Sequence, residues 1–394
     1  MKCKLCGSSK IKTFLQLGRQ PLANKYPTLE QFATEEFHEL NINFCTECKT
    51  VQLDQIVDRS KMFTDYYYLS SVNKPLVTHF EELAVMIAES KPHFVIDIGS
   101  NDGILLKPLK ALGVDSIGVE PSVNVSKIAN DKGLITINSF FNQQAVDFIK
   151  QKYQKADFVV ASSVFTHLEN PHDFIEAVKN VMTSDGMFIV EVEYIKNIIE
   201  NIQFERFYFD RIFYYSLTSL NKLFQAHGMR IVDADVVDMH GGSLRVTVVK
   251  ESSNLHFTPR YIELLNGENA LNIELLSEFA SLCVSAMNEF KNELTIFKER
   301  GLKVAGYGVP ARVATITNFG GIDKHLIEYL VDDSPLKIGK YSPGEHIPIY
   351  DRQHLIDNPV DVLIVFAYEY ADDIKSKSAG LTKVYIRPIP FGEL

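Results

Sequence analysis

The chain has 394 residues, of which 46% are apolar and 23% are charged, and no apolar run approaches the roughly 18 residues of a membrane helix. We therefore expect a soluble protein of two or three domains, without a membrane partner. The formal net charge of −10 excludes a broad field that attracts polyanions, so nucleic acid is not expected as a partner. The first residues have no apolar signal-peptide core, which favours a cytoplasmic location.

Four of the five cysteines form two pairs with the same spacing, Cys3-x-x-Cys6 and Cys45-x-x-Cys48. In a chain of this size, such pairs favour tetrahedral thiolate coordination over disulfides, and zinc is the usual metal. Four thiolates leave no open position on the ion, so a structural role is predicted for it. Redox-active or incidental cysteine pairs are the alternative interpretation.

The fifth cysteine, Cys283, lies in a segment whose apolar residues recur every three or four positions, residues 273–298. This period predicts a long helix with Cys283 buried. The apolar positions that define the period are Leu275, Phe279, Leu282, Ala286, Phe290, Leu294 and Phe297.

From about residue 91, short apolar segments alternate with segments of helical period, which predicts an α/β domain with a mostly parallel sheet. Its predicted strands are 94–97, 116–120, 158–161 and 187–191. From about residue 301 the same alternation predicts a second sheet domain, with strands at 304–306, 329–331 and 362–366. Ligands are expected at the carboxyl ends of parallel strands.

The loop Asp97-Ile-Gly99-Ser-Asn-Asp-Gly103 follows the first predicted strand of the parallel sheet, where glycines permit close approach of the backbone to a ligand. It lacks the Walker A pattern and the Gly-x-Gly-x-x-Gly spacing, so phosphate binding is poorly supported. The loop resembles the Asp-x-Gly-x-x-x-Gly loop of S-adenosylmethionine-dependent methyltransferases, and Glu120 ends the next strand, where that family has the acidic residue that holds the ribose hydroxyls.

Two carboxylates, Asp97 and Glu120, suit a sulfonium cofactor with a ribose diol and would repel a pyrophosphate. A Rossmann-type loop for another cofactor is the alternative. The resemblance implies that S-adenosylmethionine contacts Asp97, Gly99, Ser100, Asn101, Gly103, Glu120 and Ser163.

Further motifs lie along the whole chain. They are Tyr66-Tyr-Tyr68-Leu-Ser-Ser, Ser163-Val-Phe-Thr-His167, His240-Gly-Gly-Ser-Leu-Arg245, Gly306-Tyr-Gly308-Val-Pro-Ala, Val331-Asp-Asp and Pro343-Gly-Glu-His346-Ile-Pro. Together with the cysteine pairs and the cofactor loop, they resemble the nucleotide-sugar C-methyltransferases, which add methyl branches to keto-deoxy sugars.

This resemblance implies an α/β protein of several parts. The predicted parts are a zinc-binding module (1–70), a Rossmann-like methyltransferase domain (71–255), a helical connector (256–300) and a C-terminal Rossmann-like domain that covers the substrate (301–394). The implied partner is a small nucleotide-sugar. Three basic residues are candidates to bind its diphosphate: Lys337, Lys340 and Arg312. The alternative is that they are solvated surface residues. A chain that closes around its own substrate needs no partner chain, so we expect a monomer.

One motif departs from the family pattern. The family carries Tyr-His-Glu-His, and the aligned residues here are Tyr208-Phe-Asp210-Arg211. In relatives the second histidine is the favoured base that removes the proton next to the sugar ketone. Arg211 stays protonated near neutral pH and cannot do this, although its planar fork of donors suits a carboxylate, a phosphate or a developing enolate. Either the base has moved or the substrate differs.

His167 is the first candidate for the relocated base. The alternative interpretation is that His167 has only a structural role, as a hydrogen-bonded histidine at the start of a helix. Asp210 is expected either to orient His167 or to act as the base itself. The tyrosines Tyr208, Tyr66 and Tyr68 are candidate donors to the ketone oxygen, or packing residues. His240 either contacts the substrate or braces the glycine turn that follows it.

The expected reaction is methylation of the carbon next to the ketone of a nucleotide-linked 4-keto-deoxy sugar, through an enolate. One alternative is a methyltransferase of the same architecture that acts on oxygen, nitrogen or another carbon of a sugar or acidic substrate, with Arg211 as an anion clamp. The other is a catalytically silent binding protein that has kept the cofactor loop.

Overall fold

The computed structural model describes residues 2–58, 69–239 and 241–394. In these residues, strands and helices alternate and the strands form three sheets of four, seven and six strands. The predicted α/β fold, with a small N-terminal module and two further sheet domains, is confirmed. None of the helices in the described ranges is both long and apolar enough to cross a membrane.

The first sheet is small and antiparallel, and it follows the first cysteine pair. Its strands, in their spatial order, are β1 (Ile11–Pro21), β2 (Phe37–Cys45), β3 (Val51–Leu53) and β9 (Phe213–Tyr214). The second cysteine pair lies at the turn between β2 and β3. Because β9 comes from the central part of the chain and pairs with β3, the central domain completes the sheet of the N-terminal module.

The second sheet has seven strands. They are β4 (Val95–Ile98), β5 (Ser116–Glu120), β6 (Thr136–Asn138), β7 (Ala156–Ser162), β8 (Met182–Glu193), β10 (Met229–Val237) and β11 (Ser243–Lys250). Their order is β10-β11-β8-β7-β4-β5-β6, with β4 to β8 parallel and the last two antiparallel. The four predicted strands are present, and the order reverses between β4 and β7, where ligands bind in open sheets.

Seven α-helices of this region lie within the described residues. They are α1 (Lys74–Glu89), α2 (Leu106–Ala111), α3 (Val123–Asp131), α4 (Gln143–Lys152), α5 (Pro171–Val181), α6 (Ile195–Glu200) and α7 (Leu217–Gln225). Helix α1 begins after Asn73, whose side chain accepts from the amide of Leu76 at 3.2 Å. Short 3-10 helices at Phe165–His167 and Phe204–Arg206 carry the segments discussed below.

The connector contains α8 (Pro259–Asn266) and the long α9 (Ile273–Glu299). The predicted helix is confirmed, and Cys283 is fully buried in it. The placement of Leu282 on its apolar face is wrong, because Leu282 is 51% exposed. Successive helical residues are about 100° apart, so the buried face carries Leu276 and Cys283, and Leu282, one residue before Cys283, points away from it.

The third sheet has the order β14-β13-β12-β15-β16-β17. Its strands are β12 (Val304–Tyr307), β13 (Tyr329–Val331), β14 (Ile349–Tyr350), β15 (Val362–Val365), β16 (Val384–Arg387) and β17 (Gly392–Glu393), and its helices are α10 (Arg312–Gly320), α11 (Arg352–Asp357) and α12 (Ala371–Lys377). Only the β16–β17 pair of its described strand pairs is antiparallel. The domain boundaries given above stay a prediction.

The N-terminal module docks on the C-terminal domain. The carboxylate of Glu35 accepts from His346 Nε2 at 2.7 Å, and the His346 ring stacks on Phe32 with centroids 3.6 Å apart. The Tyr26 hydroxyl donates to the backbone carbonyl of Val309 at 2.7 Å. The first and third sheets also share one apolar core with α9, so the module forms part of the body of the protein.

The central and C-terminal domains meet at an ion-pair cluster. Glu369 accepts from Arg206 at 2.9 Å and from Arg312 at 2.8 Å, and the Tyr368 ring lies 4.4 Å from the Arg312 guanidinium. Arg312, a candidate for a substrate diphosphate, is therefore engaged by the protein itself. Lys337, another of these candidates, donates to the carbonyl of Val309.

Candidate functional site

The four paired cysteines converge at one point. Their sulfur atoms all lie within 4.8 Å of one another, with 3.6 Å between Cys3 and Cys48 and 3.6 Å between Cys6 and Cys45. Tetrahedral zinc with Zn–S bonds of about 2.3 Å requires sulfur atoms about 3.8 Å apart. The four cysteines carry no disulfide, and the fifth, Cys283, lies elsewhere in the fold. The predicted four-thiolate zinc site therefore fits.

Both halves of this site are built in the same way. The amide of Gly7 donates to the carbonyl of Cys3 at 2.9 Å, and the amide of Lys49 donates to the carbonyl of Cys45 at 2.8 Å. Both donors have positive φ, +72° and +62°. Only Gly7 signalled this turn in the sequence, because lysine rarely adopts a left-handed conformation. Gln52 Nε2 donates to Cys3 Sγ at 3.1 Å, which supports the thiolate form of that ligand.

A cavity of about 350 Å³ lies at the carboxyl edge of the second sheet, at the point where the strand order reverses. Loops that follow β4, β5 and β7 form one side, and the segment 208–211 forms another. Of the predicted site residues, it is lined by Asp97, Gly99, Asn101, Glu120, Ser163, His167, Tyr208, Asp210 and Arg211. Residues of the predicted cofactor loop and four of the predicted catalytic residues therefore line the same cavity.

The cofactor loop is held in a conformation that glycine permits. Gly99 has φ +74°, and a Cβ at this position would lie 2.3 Å from Cγ2 of Val164. Asn101 has φ +48°, and its Oδ1 accepts from the amides of Ser70 and Asp102, each at 2.9 Å. The side chain of Asn101 therefore ties the chain before α1 to the loop.

Two predicted cofactor residues, Ser100 and Gly103, pack against neighbouring parts of the loop region. Ser100 is 1% exposed and fits against Gly118, where a Cβ would lie 2.2 Å from the Ser100 hydroxyl. Gly103 has φ +85° and faces Leu134. Neither Ser100 nor Gly103 is among the residues that line the cavity.

Two buried carboxylates stand at the cavity. Glu120 accepts from the amide of Asn101 at 3.1 Å and from the amide of Ser122 at 2.8 Å, so its direction is fixed. Burial, and then the charges of Glu120 and Glu191, raise the pKa of Asp97 to about 8. A cationic group of a bound cofactor next to Asp97 would offset this penalty.

A polar cluster behind the cavity was not predicted. Burial opposes ionisation of Glu191, but bonds from His79 (3.0 Å), Arg245 (2.6 Å) and Ser162 (2.6 Å) lower the pKa of Glu191 to about 2. The backbone carbonyl of Glu191 also accepts from the amide of Ser163 at 2.9 Å. Arg245 of the His-Gly-Gly-Ser-Leu-Arg motif thus braces the cavity wall from behind.

His167 is oriented by a backbone group. Its Nδ1 contacts the backbone carbonyl of Asp210, and the predicted role of the Asp210 side chain in orienting His167 stays a prediction. A carbonyl only accepts, so Nδ1 carries the proton and Nε2 of the neutral ring carries the lone pair. His167 is half-buried and lines the cavity. A neutral ring with its proton on Nδ1 and its lone pair on Nε2 is the tautomer that a general base requires.

The other residues of the 208–211 segment are engaged in defined contacts. Arg211 forms an ion pair with Glu193 of β8, and its guanidinium lies 4.7 Å from the centre of the Tyr208 ring. Burial raises the pKa of Tyr208, which keeps its hydroxyl protonated as a donor. The carboxylate of Asp210 accepts from Asn24 Nδ2 of the N-terminal module at 2.7 Å.

Some predicted residues cannot be placed and others were missed. Tyr66, Tyr68 and His240 lie outside the described residues. Asn24 and Glu193 carried no motif in the sequence, because their contacts join segments that are remote in the chain.

Comparison with known proteins gives three domain matches along the chain. A zinc binding domain model matches residues 3–63, a methyltransferase domain model matches 76–234, and a C-methyltransferase C-terminal domain model matches 238–390. The chain is an S-adenosylmethionine-dependent methyltransferase whose C-terminal part matches the C-methyltransferase C-terminal domain. The predicted S-adenosylmethionine cofactor and zinc module are thereby confirmed.

Individual relatives cover the chain to different extents. This methyltransferase is 28% identical to the C-methyltransferase NovU of Streptomyces niveus, over 95% of this chain and 91% of that protein. It is 29% identical to a ubiquinone biosynthesis O-methyltransferase of Glaesserella parasuis, over 24% of this chain and 43% of that protein. A solved magnesium protoporphyrin IX methyltransferase from Synechocystis PCC 6803 with bound S-adenosylmethionine matches at 15% identity and TM-score 0.35, covering 44% of this chain and 79% of that one.

Zinc should be bound once per chain by the cysteine cluster. We expect Cys48→Ala to lose the metal and to lower the melting temperature, since a structural zinc ion couples binding to folding. Cys283→Ala removes an equally buried thiol outside the cluster and should keep the zinc. Metal content by mass spectrometry, with thermal melts, checks this, and full zinc occupancy in Cys48→Ala would contradict it.

Gly99→Ala should weaken cofactor binding at least tenfold, because the new methyl group collides with Val164 and moves the loop. Gly113→Ala is the matched control, since Gly113 has the same φ of +74° but nothing within 4 Å of an added Cβ. Both variants should lose about 1–2 kcal/mol of stability from the left-handed backbone. Calorimetric titration with S-adenosylmethionine measures the difference, and equal affinities of the two variants would refute the assigned role of Gly99.

Cofactor affinity should rise with pH because of Asp97. With a pKa of about 8, Asp97 is mostly protonated at neutral pH, and a cationic cofactor group favours its ionised form. Binding should therefore release a proton, and affinity should increase until the pH passes this pKa and then level off. Calorimetry in buffers of different ionisation enthalpy measures the proton release. Asp97→Asn should remove the pH dependence, and its persistence in that variant would assign the proton to another group.

Proposed function

We propose that this enzyme methylates the carbon next to the ketone of a nucleotide-linked 4-keto-deoxy sugar. The observation that carries this proposal is His167, which lines the cofactor cavity in the tautomer of a base. Carbon next to a ketone needs such a base, because its proton must leave before the carbon becomes a nucleophile. The C-methyltransferase C-terminal domain and the relative named as a C-methyltransferase over nearly the whole chain also support carbon as the acceptor.

In the proposed reaction, Nε2 of His167 takes the proton from the carbon next to the ketone. The electron pair of that C–H bond forms an enolate, whose oxygen receives a hydrogen bond from the Tyr208 hydroxyl. S-adenosylmethionine, when bound, supplies an electrophilic methyl group on a sulfonium. The enolate carbon takes the methyl group, the carbon–sulfur electron pair stays on sulfur, and the proton stays on His167 until solvent removes it.

The position of Arg211 supports this proposal over the acidic-substrate alternative. That alternative gives Arg211 the task of holding a carboxylate of the substrate, but Glu193 of the protein already fills this place. Because the Arg211 guanidinium lies against the Tyr208 ring, its charge favours negative charge that develops near that hydroxyl. We propose that Arg211 stabilises the enolate through Tyr208 and that His167 has taken over as base.

The test is methyl transfer from labelled S-adenosylmethionine to a panel of nucleotide-linked 4-keto and non-keto sugars, with the new methyl group located by mass spectrometry. We expect product only from the 4-keto sugars, with the label on the carbon next to the ketone. A methyl group on oxygen or nitrogen would favour the alternative methyltransferase. Tight cofactor binding without any product would favour a binding protein.

His167→Gln should lower kcat by about 10²–10⁴-fold and leave cofactor affinity unchanged, because a general base acts only in the chemical step. His256→Gln replaces an exposed histidine outside the cavity and should have no effect. Steady-state kinetics on a productive substrate, with calorimetric cofactor binding, checks both variants. Unchanged kcat in His167→Gln would remove His167 as the base.

A further inference from the structure

Among the described residues 2–58 of the N-terminal module, Asn24 lines the cavity. Asn24 follows β1 and is exposed at the cavity, whereas its partner Asp210 is only 5% exposed. The carboxylate of Asp210 accepts hydrogen bonds, so the atom that faces it at 2.7 Å must be the amide nitrogen of Asn24. A zinc-binding module therefore reaches across the domain boundary to a residue of the predicted catalytic motif.

Asn24 is held firmly on both sides. Its neighbour Ala23 is buried in a cluster with Ala311 and Ala314 of the C-terminal domain, against which Tyr208 packs. Two residues further on, the Tyr26 hydroxyl is bonded to the C-terminal domain, as described above. The amide group of Asn24 is consequently presented to Asp210 from a fixed backbone.

Asp210 transmits this contact to His167. The carboxylate of Asp210 is only two bonds from its Cα, so a fixed carboxylate restricts the backbone carbonyl that holds His167 Nδ1. On the other side, the amide of Ile212 donates to the carbonyl of Thr166 at 2.8 Å, next to His167. The Asp210 carbonyl thus lies between two anchors, one of which is Asn24.

We propose that Asn24 is a positioning residue for the reaction, through which the zinc-binding module sets the orientation of the base His167. This inference rests on the proposed function, because it concerns the same base. By this proposal, the N-terminal module helps to orient the base in addition to its structural role in the fold. The proposal also explains why an exposed side chain of that module lies on a buried carboxylate of the central domain.

Asn24→Ala should lower kcat about 10- to 100-fold with little change in KM or cofactor affinity, because a displacement of about 1 Å of a catalytic group costs this much. Asn24→Asp should be at least as impaired, since it places two carboxylates in contact. Asn41→Ala is the matched control. Asn41 is in the same module and donates to Asp54 at 2.9 Å, so this variant removes the same type of bond away from the cavity, and kcat should not change.

A second readout needs no substrate. The ¹⁵N shifts of the His167 ring, assigned by their loss in His167→Gln, should report a proton on Nδ1 in the unmodified enzyme and in Asn41→Ala. In Asn24→Ala they should report a mixture of tautomers. If no sugar is methylated but these shifts behave as stated, the proposed function fails and the positioning role stands. If Asn24→Ala matches Asn41→Ala in both shifts and kcat, the positioning role is overturned.

Discussion

The segment of residues 206–214 leads from a 3-10 helix into β9 and is held by both the N-terminal module and the C-terminal domain, and the cavity depends on it. Its strand β9 completes the sheet of the N-terminal module. The carbonyl of Ile212 accepts from the amide of Leu53 at 3.0 Å, and the carbonyl of Phe207 accepts from the Thr315 hydroxyl at 3.1 Å. Backbone groups of one short segment are thus fixed by the N-terminal module and the C-terminal domain. The same segment carries Tyr208, Asp210 and Arg211. The contacts that dock the domains therefore also fix the positions of these cavity residues.

The departure from the family pattern at Arg211 does not leave an unpaired charge, because a neighbouring strand supplies a carboxylate. A buried guanidinium is costly unless a carboxylate and hydrogen bonds compensate it. Glu193, at the end of β8, supplies that carboxylate. The pair occupies the place where the family pattern has a histidine, while His167 contacts the backbone carbonyl of Asp210 through Nδ1. In the proposed reaction, charge compensation and proton transfer therefore belong to different residues.

The sequence predicted those parts of the site that lie close together in the chain. Each cysteine pair and the Asp97–Gly103 loop is a short contiguous pattern. The pairs supply thiolate ligands, and the glycines of the loop permit left-handed backbone. The orientation of His167 by a backbone carbonyl was not predictable, because a carbonyl has no sequence signature. Asn24 and Glu193 were missed for a related reason, since each is defined by a partner far away in the chain. The Leu282 error has a simpler cause: a three-to-four spacing leaves the centre of a helical face uncertain by one residue.

Proton exchange tests the central claim most directly, because it isolates the base from methyl transfer. With S-adenosylhomocysteine in the cofactor site and a nucleotide-linked 4-keto-deoxy sugar in D₂O, the enzyme should exchange the proton on the carbon next to the ketone. The rate should fall by about 10²–10⁴-fold in His167→Gln. Exchange at the same rate in that variant would contradict the account, since the proton would then be removed by another group.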